Sequence, residues 1–516
     1  MELASCLKVT EEEIILLGSS VDKLTKDLSI PNPKFNAAKT FGKKRFFSKE
    51  PQNICFLEAP VKGVYKVPRY YFDTKDYTDK TTLGRKISFT TTIIPREYQS
   101  EFFEKNKIVI EEETGLIFNV PCGHGKTIMA IYLSHRIGRQ TLVLVPTYYL
   151  ANQWAKAIKA TTNATVFICQ STDKQIPLDR DFTIIVMELF LARELPQGLL
   201  KNIGHTVLDE AHRVGAETYL PIIDLLPAKR RTALSATFRR ADKADKILGF
   251  HFGKLLEMEN KFPKPFVYTI KTGIEFTYLL PIEEAGKDFL EFLSLREIPH
   301  EKIGGYLNFN KGFIKDIEDS YEEKQINVTT LRRFRTLHRR LMNTPYTTMD
   351  SFLNNHPKRL KILMSAITKA LESGRTVIVL SKRKDTLKKL GKYFAEWRPA
   401  VIIAENGKRS EEEERYIQEE CRLVLGVVQL AKEGLDIDRL DTMFIHLPMK
   451  DTEQALGRIS RLKEGKKQPM AFIFRDTNPI MYSVYTKTRT FVKINGDFKK
   501  ELTIKEAVQL LKTSNT

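Results

Sequence analysis

Gly115-Leu-Ile-Phe-Asn-Val-Pro-Cys-Gly-His-Gly-Lys-Thr127 is the stretch from which the rest of this chain is read. Gly115 to Val120 is a short apolar run, which predicts a buried strand. A glycine-rich turn follows, and then Ile128, Met129, Ile131 and Leu133 fall at helical spacing. Strand, glycine turn and helix together are the setting in which backbone amides can cradle phosphate oxygens. Gly123 and Gly125, flanking His124, let the chain turn tightly, and the helix N-terminus adds partial positive charge. Lys126 is expected to reach the β- and γ-phosphates of a nucleotide, and the Thr127 hydroxyl to ligate Mg2+. ATP and Mg2+ are therefore the expected cofactors. Val120 stands where the strict phosphate-loop pattern has glycine.

Working outward, Thr141 to Pro146, Phe182 to Met187, Thr206 to Leu208 and Thr232 to Ser235 also read as buried strands separated by helical stretches. That rhythm predicts an α/β unit with a parallel sheet. It returns at Thr376 to Leu380, Ala400 to Ala404, Arg422 to Val428, Thr442 to Leu447 and Ala471 to Phe474. The expected organisation is an N-terminal accessory region over 1–88 and a first α/β domain over 89–264. A second domain follows over 265–477, with a charged helical insertion at about 283–355, and then a C-terminal tail over 478–516. In the insertion, Arg332, Arg335 and Arg339 share one face of a predicted helix, at about 100° per residue. That face is either a phosphate-backbone contact or a solvated surface. Near the N-terminus, Phe41-Gly-Lys-Lys-Arg-Phe-Phe47 interleaves basic and aromatic residues and is either a nucleic-acid clamp or a surface turn.

Thr206-Val-Leu-Asp-Glu-Ala-His212 is a strand ending in two acids. A carboxylate at the C-terminal edge of a parallel strand shares the crevice of the phosphate loop. Asp209 is expected to hold Mg2+, Glu210 to orient and deprotonate the attacking water, and His212 to link the nucleotide to the second unit. Gln454, Arg458 and Arg461 are spaced i, i+4, i+7, which on a helix places one amide and two guanidiniums on one face. Arginines supplied there would stabilise the charge that builds on the γ-phosphoryl oxygens. Hydrolysis would then depend on the two units closing together.

The chain carries 83 Lys and Arg against 64 Asp and Glu, a formal charge of +19 that suits a polyanionic partner. Its five cysteines, at 6, 55, 122, 169 and 421, have no C-x-x-C spacing, so no structural zinc is expected. No apolar run reaches the ~18 residues of a membrane span. The N-terminus lacks the basic start and apolar stretch of a signal peptide. The expected location is the cytoplasm or, for a viral protein, the host compartment where viral DNA is handled.

Taken together and in order, these motifs resemble the superfamily 2 helicases over residues 92 to 475. Arg96-Glu-Tyr-Gln99 resembles the upstream element whose glutamine reads the adenine edge. Val145-Pro-Thr147 with Gln153-Trp154 is similar to a nucleic-acid-contacting motif, which implicates Pro146, Thr147 and Gln153. Asp209-Glu-Ala-His212 matches the DEAH box letter for letter, and Ser235-Ala-Thr237 the coupling motif. Glu433-Gly-Leu-Asp436 resembles the motif that touches nucleotide and strand, which implicates Gly434 and Asp436. Gln454 to Arg461 resembles the last motif. Val427 and Phe238 depart from the family's usual Thr or Ser and Pro.

Within the superfamily the chain looks like the helicases of large DNA viruses and phages, related to phage branch-migration helicases and the XPB group. The resemblance implies two tandem RecA-like parallel-sheet domains. It also implies a DNA-dependent ATPase, translocating 3′ to 5′, in recombination, fork repair or transcript release. An RNA helicase or a transcript-release translocase shares these motifs. An ATP-regulated binding module without turnover is disfavoured by the presence of Lys126, Glu210 and both arginines. A small-molecule P-loop kinase would need neither the second unit nor the +19 charge.

Overall fold

The computed structural model describes residues 6–31, 53–55, 57–72, 81–211, 222, 225–226, 228–236, 238, 244–276, 278–285, 287–295, 297–298, 300–309, 346–403, 410–428, 437–447, 452–461 and 465–513. The chain divides into two compact units, Met1–Lys261 and Phe262–Thr516. The expected boundary at 264/265 lies a few residues beyond this division.

The first unit opens with short antiparallel strands: β1 (Cys6–Thr10), β2 (Ser29–Pro31), β3 (Asn53–Cys55), β4 (Glu58–Val61) and β5 (Val64–Pro68). β5 lies between β1 and β4, while β2 pairs with β3. Ile14, Leu24, Leu28, Ile30 and Val67 form a small core that includes Ile247 of the helix Ala244–Phe252. Asp27 ties the same surfaces together, accepting from Tyr71 at 2.8 Å and Lys246 at 2.7 Å. The accessory region is thus packed on the first domain. The segment Phe41 to Phe47 lies outside the described residues.

Seven strands follow: β6 (Gly115–Asn119), β7 (Thr141–Val145), β8 (Val166–Ile168), β9 (Phe182–Val186), β10 (His205–Leu208), β11 (Arg230–Ser235) and β12 (Lys254–Glu257). They form one sheet in the order β12-β6-β11-β10-β7-β9-β8, and every pairing is parallel. All five residues of β7 and of β9 are buried, as continuous apolar runs require when helices cover both faces.

A neutral histidine anchors β10. His205 is fully buried, and its Nδ1 faces the Ser134 hydroxyl at 3.1 Å. That hydroxyl already donates to the Ala130 carbonyl, so Nδ1–H donates and Ser134 accepts. Nε2 is left to accept from Thr232 at 3.0 Å. Burial, helped by the Arg230 charge, drops the imidazole pKa to about 3.

The second unit repeats the plan. Its strands are β13 (Phe266–Glu275), β14 (Tyr278–Pro281), β15 (His300–Ile303), β16 (Tyr306–Phe309), β17 (Val377–Ser381), β18 (Ala400–Ile402), β19 (Leu423–Val427), β20 (Thr442–Ile445), β21 (Met470–Thr477) and β22 (Asp497–Leu502). Seven make a second all-parallel sheet, ordered β18-β19-β17-β20-β21-β13-β22. Two tandem RecA-like domains are the result, as the sequence implied.

Two expectations change. Residues 478–513, expected as part of a tail, are folded into the second unit. The helix Pro479–Asn495 leads into β22, which adds to the sheet beside β13, and the helix Ile504–Thr513 buries Ala507 and Leu511 in the main core. The apolar side of that last helix needs a partner, and the sheet supplies it. The insertion at 283–355 is not purely helical either: β14, β16 and β15 form an antiparallel sheet. Arg332, Arg335 and Arg339 lie outside the described residues.

A buried ion pair locks the second sheet to its covering helix Pro357–Glu372. Arg359 and Asp476 are 0% and 1% exposed, and Nε meets both carboxylate oxygens at 3.1 Å. Asp476 also accepts from Thr272 at 2.7 Å, while Arg359 Nη2 donates to the His446 carbonyl. A pair removed from water this fully holds only with such additional bonds.

Candidate nucleotide site

The phosphate loop begins where β6 stops. Val120 keeps the strand going one residue further, donating its N–H to Ser235 at 2.9 Å with its side chain fully buried. That is why valine serves where the strict motif has glycine: the position belongs to the strand and the core. The turn proper needs glycine. Gly123 and Gly125 have φ of 81° and 79°, and a Cβ on Gly125 would stand 2.6 Å from Gln99 Nε2. Gly125 caps the helix Lys126–Ile137, which places Lys126 and Thr127 in its first turn.

His124 holds the loop's shape. Its ring is buried, with Nδ1 3.2 Å from the Cys122 carbonyl and Nε2 3.2 Å from the Lys261 amide N–H, which donates. Burial, with the Lys126 and Arg96 charges, lowers its pKa below the usual histidine range, consistent with one donating and one accepting nitrogen. Gln99, on the helix Glu97–Lys105, is 3% exposed and donates to the His124 carbonyl at 2.8 Å. Its carbonyl oxygen accepts from the Arg96 N–H at 3.0 Å.

β10 carries the acids. Asp209 follows its last residue, donating its N–H to the Leu144 carbonyl at 2.9 Å. One carboxylate oxygen accepts from the Glu210 N–H and the other from the Trp154 indole N–H, both at 2.8 Å. Burial, and then the neighbouring Glu210 charge, push the Asp209 carboxyl up to about 6, against the opposing pull of Trp154 and Lys126. The loop after β6 and the acid after β10 both stand at the C-terminal edge of the same parallel sheet. Glu210 adopts φ 50°, a left-handed conformation that costs a non-glycine residue about 1–3 kcal/mol. Ser235 ends β11, fully buried. His212 and Thr237 lie outside the described residues.

The donor set fits a hard cation, because the Thr127 hydroxyl and the Asp209 carboxylate offer oxygen. A cavity of about 460 Å³ lies at the other edge of the sheet, lined by Leu83, Arg139, Gly204 and Arg230 among others. Arg230 there donates to the Ile110 and Glu111 carbonyls and Arg139 to that of Gly84, so those guanidiniums serve the fold.

In the second unit the helix Thr452–Ile459 carries Arg458, half-buried. The expected i, i+4, i+7 row does not run to its end, because Arg461 lies past the helix. The Ser460 hydroxyl donates back to the Leu456 carbonyl at 3.0 Å, and Arg461 pairs with Asp438 at 3.3 Å. The Gln454 side chain, Gly434 and Asp436 lie outside the described residues. Of the expected strand contacts, Thr147 caps the helix Tyr148–Thr161 and Gln153 donates to the Tyr149 hydroxyl at 3.2 Å. Pro146 is half-buried. Trp154, quoted beside Gln153 in the sequence, is 1% exposed and cannot face a nucleic acid.

Residues 92–240 match the family model described as "Type III restriction enzyme, res subunit", and residues 358–463 match "Helicase conserved C-terminal domain". This chain is a superfamily 2 helicase. As such it is a nucleic-acid-dependent ATPase. The helicase is 23% identical over 466 residues to the "Putative ATP-dependent RNA helicase L396" of Acanthamoeba polyphaga mimivirus, covering 87% of this chain and 74% of that one. It is 21% identical over 377 residues to the "Probable helicase D10" of Escherichia phage T5, covering 71% and 69%. The S. cerevisiae Dbp5 chain bound to RNA and ADP BeF3 aligns with TM-score 0.49 at 12% identity, covering 82% of this chain and 98% of that one. Among the described residues no helix is long and apolar enough to cross a membrane.

Proposed function

We propose that this helicase is a DNA motor, spending ATP to unwind or branch-migrate duplex and branched DNA. The observation that carries the reading is the placement of the phosphate loop and the two acids at one edge of one sheet. Lys126 opens the helix after β6 and Asp209 follows β10, both at the C-terminal edge of one parallel sheet, where ligands of this architecture bind.

The roles follow from the chemistry. Lys126 and the loop amides bind the β- and γ-phosphates, and Thr127 and Asp209 would hold Mg2+. When bound, Mg2+ supplies positive charge at the phosphate oxygens. Glu210 orients the attacking water and takes its proton. Arg458 and Arg461 counter the charge developing on the γ-phosphoryl group. Gly434, Asp436 and Gln454 belong to the nucleotide-contacting set. Ser235, Thr237 and His212 couple hydrolysis to movement. Pro146, Thr147, Gln153, Arg332, Arg335 and Arg339 are the proposed strand contacts.

DNA is favoured over RNA by the restriction-enzyme description of the family matching residues 92–240, while the +19 charge suits either polyanion. The name of the mimivirus relative makes RNA the second reading. A labelled four-way junction and a duplex RNA, each incubated with protein and ATP, separate them. Strand separation of the junction that stops with a non-hydrolysable analogue supports the DNA motor. Activity on the RNA alone overturns it.

A further inference from the structure

Trp154 is buried, yet its one polar atom does not serve the core. The indole N–H donates to Asp209 Oδ2 at 2.8 Å, while the Glu210 backbone N–H holds Oδ1 at the same distance. Asp209 is itself only 4% exposed. Two anchored oxygens fix both the position and the plane of the carboxylate, leaving one set of lone pairs for a further ligand.

The local sequence places this donor. β7 runs parallel to β10, with Leu144 opposite Leu208, and stops at Val145. The Thr147 hydroxyl then caps the helix Tyr148–Thr161 by accepting from the Leu150 N–H. Trp154 therefore comes back over the strand end that carries Asp209. Its ring packs in the core of the first domain with Val145, Ala151 and Ile158, so the N–H has little freedom to turn away.

The chemistry explains the choice of tryptophan. An arginine or lysine would also donate, but it would bring a positive charge against the cation. An asparagine or a serine can rotate and present an acceptor. Indole donates only, and it is neutral.

We propose that Trp154 is a positioning residue for the divalent cation of the nucleotide site, its indole N–H setting the Asp209 carboxylate in the orientation that meets the metal. This rests on the reading of Asp209 as a Mg2+-binding acid. Groups that orient metal-binding side chains through a hydrogen bond typically carry about ten- to hundredfold in metal affinity or activity.

The test has two parts. In Trp154→Phe an aromatic ring is kept, smaller than the indole, and the donor is removed. The Mg2+ concentration for half-maximal ATPase should rise about ten- to hundredfold, with kcat recovered at saturating Mg2+. A wild-type Mg2+ dependence overturns the proposal. So does a loss that added Mg2+ does not restore, since that marks a packing role. The second part uses the intact tryptophan. The chain has two tryptophans, Trp154 and Trp397, so a Trp397→Phe protein labelled with 15N-tryptophan shows one indole N–H resonance. That resonance should shift saturably when Mg2+ is added to the ADP-bound protein, and broaden with Mn2+. A resonance that stays in place overturns the proposal even if Trp154→Phe fails to fold. The resonance is read without any nucleic acid. A chain that binds Mg2+-ADP but shows no polymer-stimulated ATPase would therefore sink the motor reading while leaving this one standing.

Discussion

The Gln99 side-chain amide donates to the backbone carbonyl of His124 at 2.8 Å, joining the helix after Arg96 to the middle of the phosphate loop. Both ends of that amide are used, since its oxygen accepts from the Arg96 N–H. The glutamine expected to read an adenine therefore also braces the loop proposed to hold the phosphates. Gln99→Glu would set a carboxylate against the His124 carbonyl, an uncompensated clash of acceptors costing about 1–3 kcal/mol. ATP affinity should fall about tenfold or more, measured by equilibrium binding of a fluorescent ATP analogue, while affinity for nucleic acid changes little. Unchanged ATP affinity would mean that the bond does not support the loop.

Gly125 is the position where the same bond leaves no room. Gly125→Ala places a Cβ 2.6 Å from Gln99 Nε2 and imposes a side chain on φ 79°. Nucleotide binding should be lost, with a melting temperature within a few degrees of wild type. Tight ATP binding by this variant would show that the loop relaxes freely.

We assign Glu210 to the attacking water rather than to nucleotide binding. Glu210→Gln should abolish turnover while ATP still binds with near wild-type affinity. Turnover near the wild-type rate would reassign the base.

His205 gives the first domain an acid-sensitive joint. Its folded pKa of about 3 lies below the ordinary 6.5, so the unfolded chain binds the extra proton between those values. The stabilisation is complete above about pH 6.5 and drains away as pH falls through that window, by about 2 kcal/mol at pH 5. Denaturant unfolding of the Trp397→Phe protein, followed by Trp154 emission, isolates the first domain. His205→Gln should flatten the slope of stability between pH 5 and 6.5. An unchanged slope would place the acid sensitivity elsewhere.

In the second domain, Asp476→Asn leaves the Arg359 guanidinium buried without its counter-charge. The domain should lose about 3–5 kcal/mol, read from the Trp397 emission of a Trp154→Phe protein. Replacing both partners, Arg359→Met with Asp476→Leu, should recover most of that loss. A double variant as unstable as the single one would mean that the ion pair contributes more than the charge balance of the core.

The central strands were legible because their residues are apolar on both faces. Phe182 to Val186 and Val377 to Ser381 are buried throughout. Three of the strands not anticipated lie at sheet edges, where one side meets water. β22, Asp497-Phe-Lys-Lys-Glu-Leu502, has charged residues at four of six positions and pairs only with β13. β12, Lys254-Leu-Leu-Glu257, ends the first sheet in the same way, whereas β8 at the opposite edge, Val166-Phe-Ile168, is apolar but only three residues long. Charge on an edge strand discourages pairing with other chains, and the same charge hides the strand from hydropathy. At the site, the glycine turn, Lys126, Asp209 and Glu210 could be proposed from residue type and order alone. Trp154 did not, because burial and the direction of an indole N–H are tertiary facts. The end of the helix before Arg461 was hidden by Ser460, whose bond back to Leu456 no spacing rule foresees.

The most direct measurement of the central claim is steady-state ATP hydrolysis with no polymer and with single-stranded DNA, duplex DNA, a four-way junction or RNA at matched nucleotide concentration. DNA should raise the rate, the junction most of all, and Lys126→Ala should remove the response. A rate that no polymer changes, or that RNA alone raises, would contradict that claim.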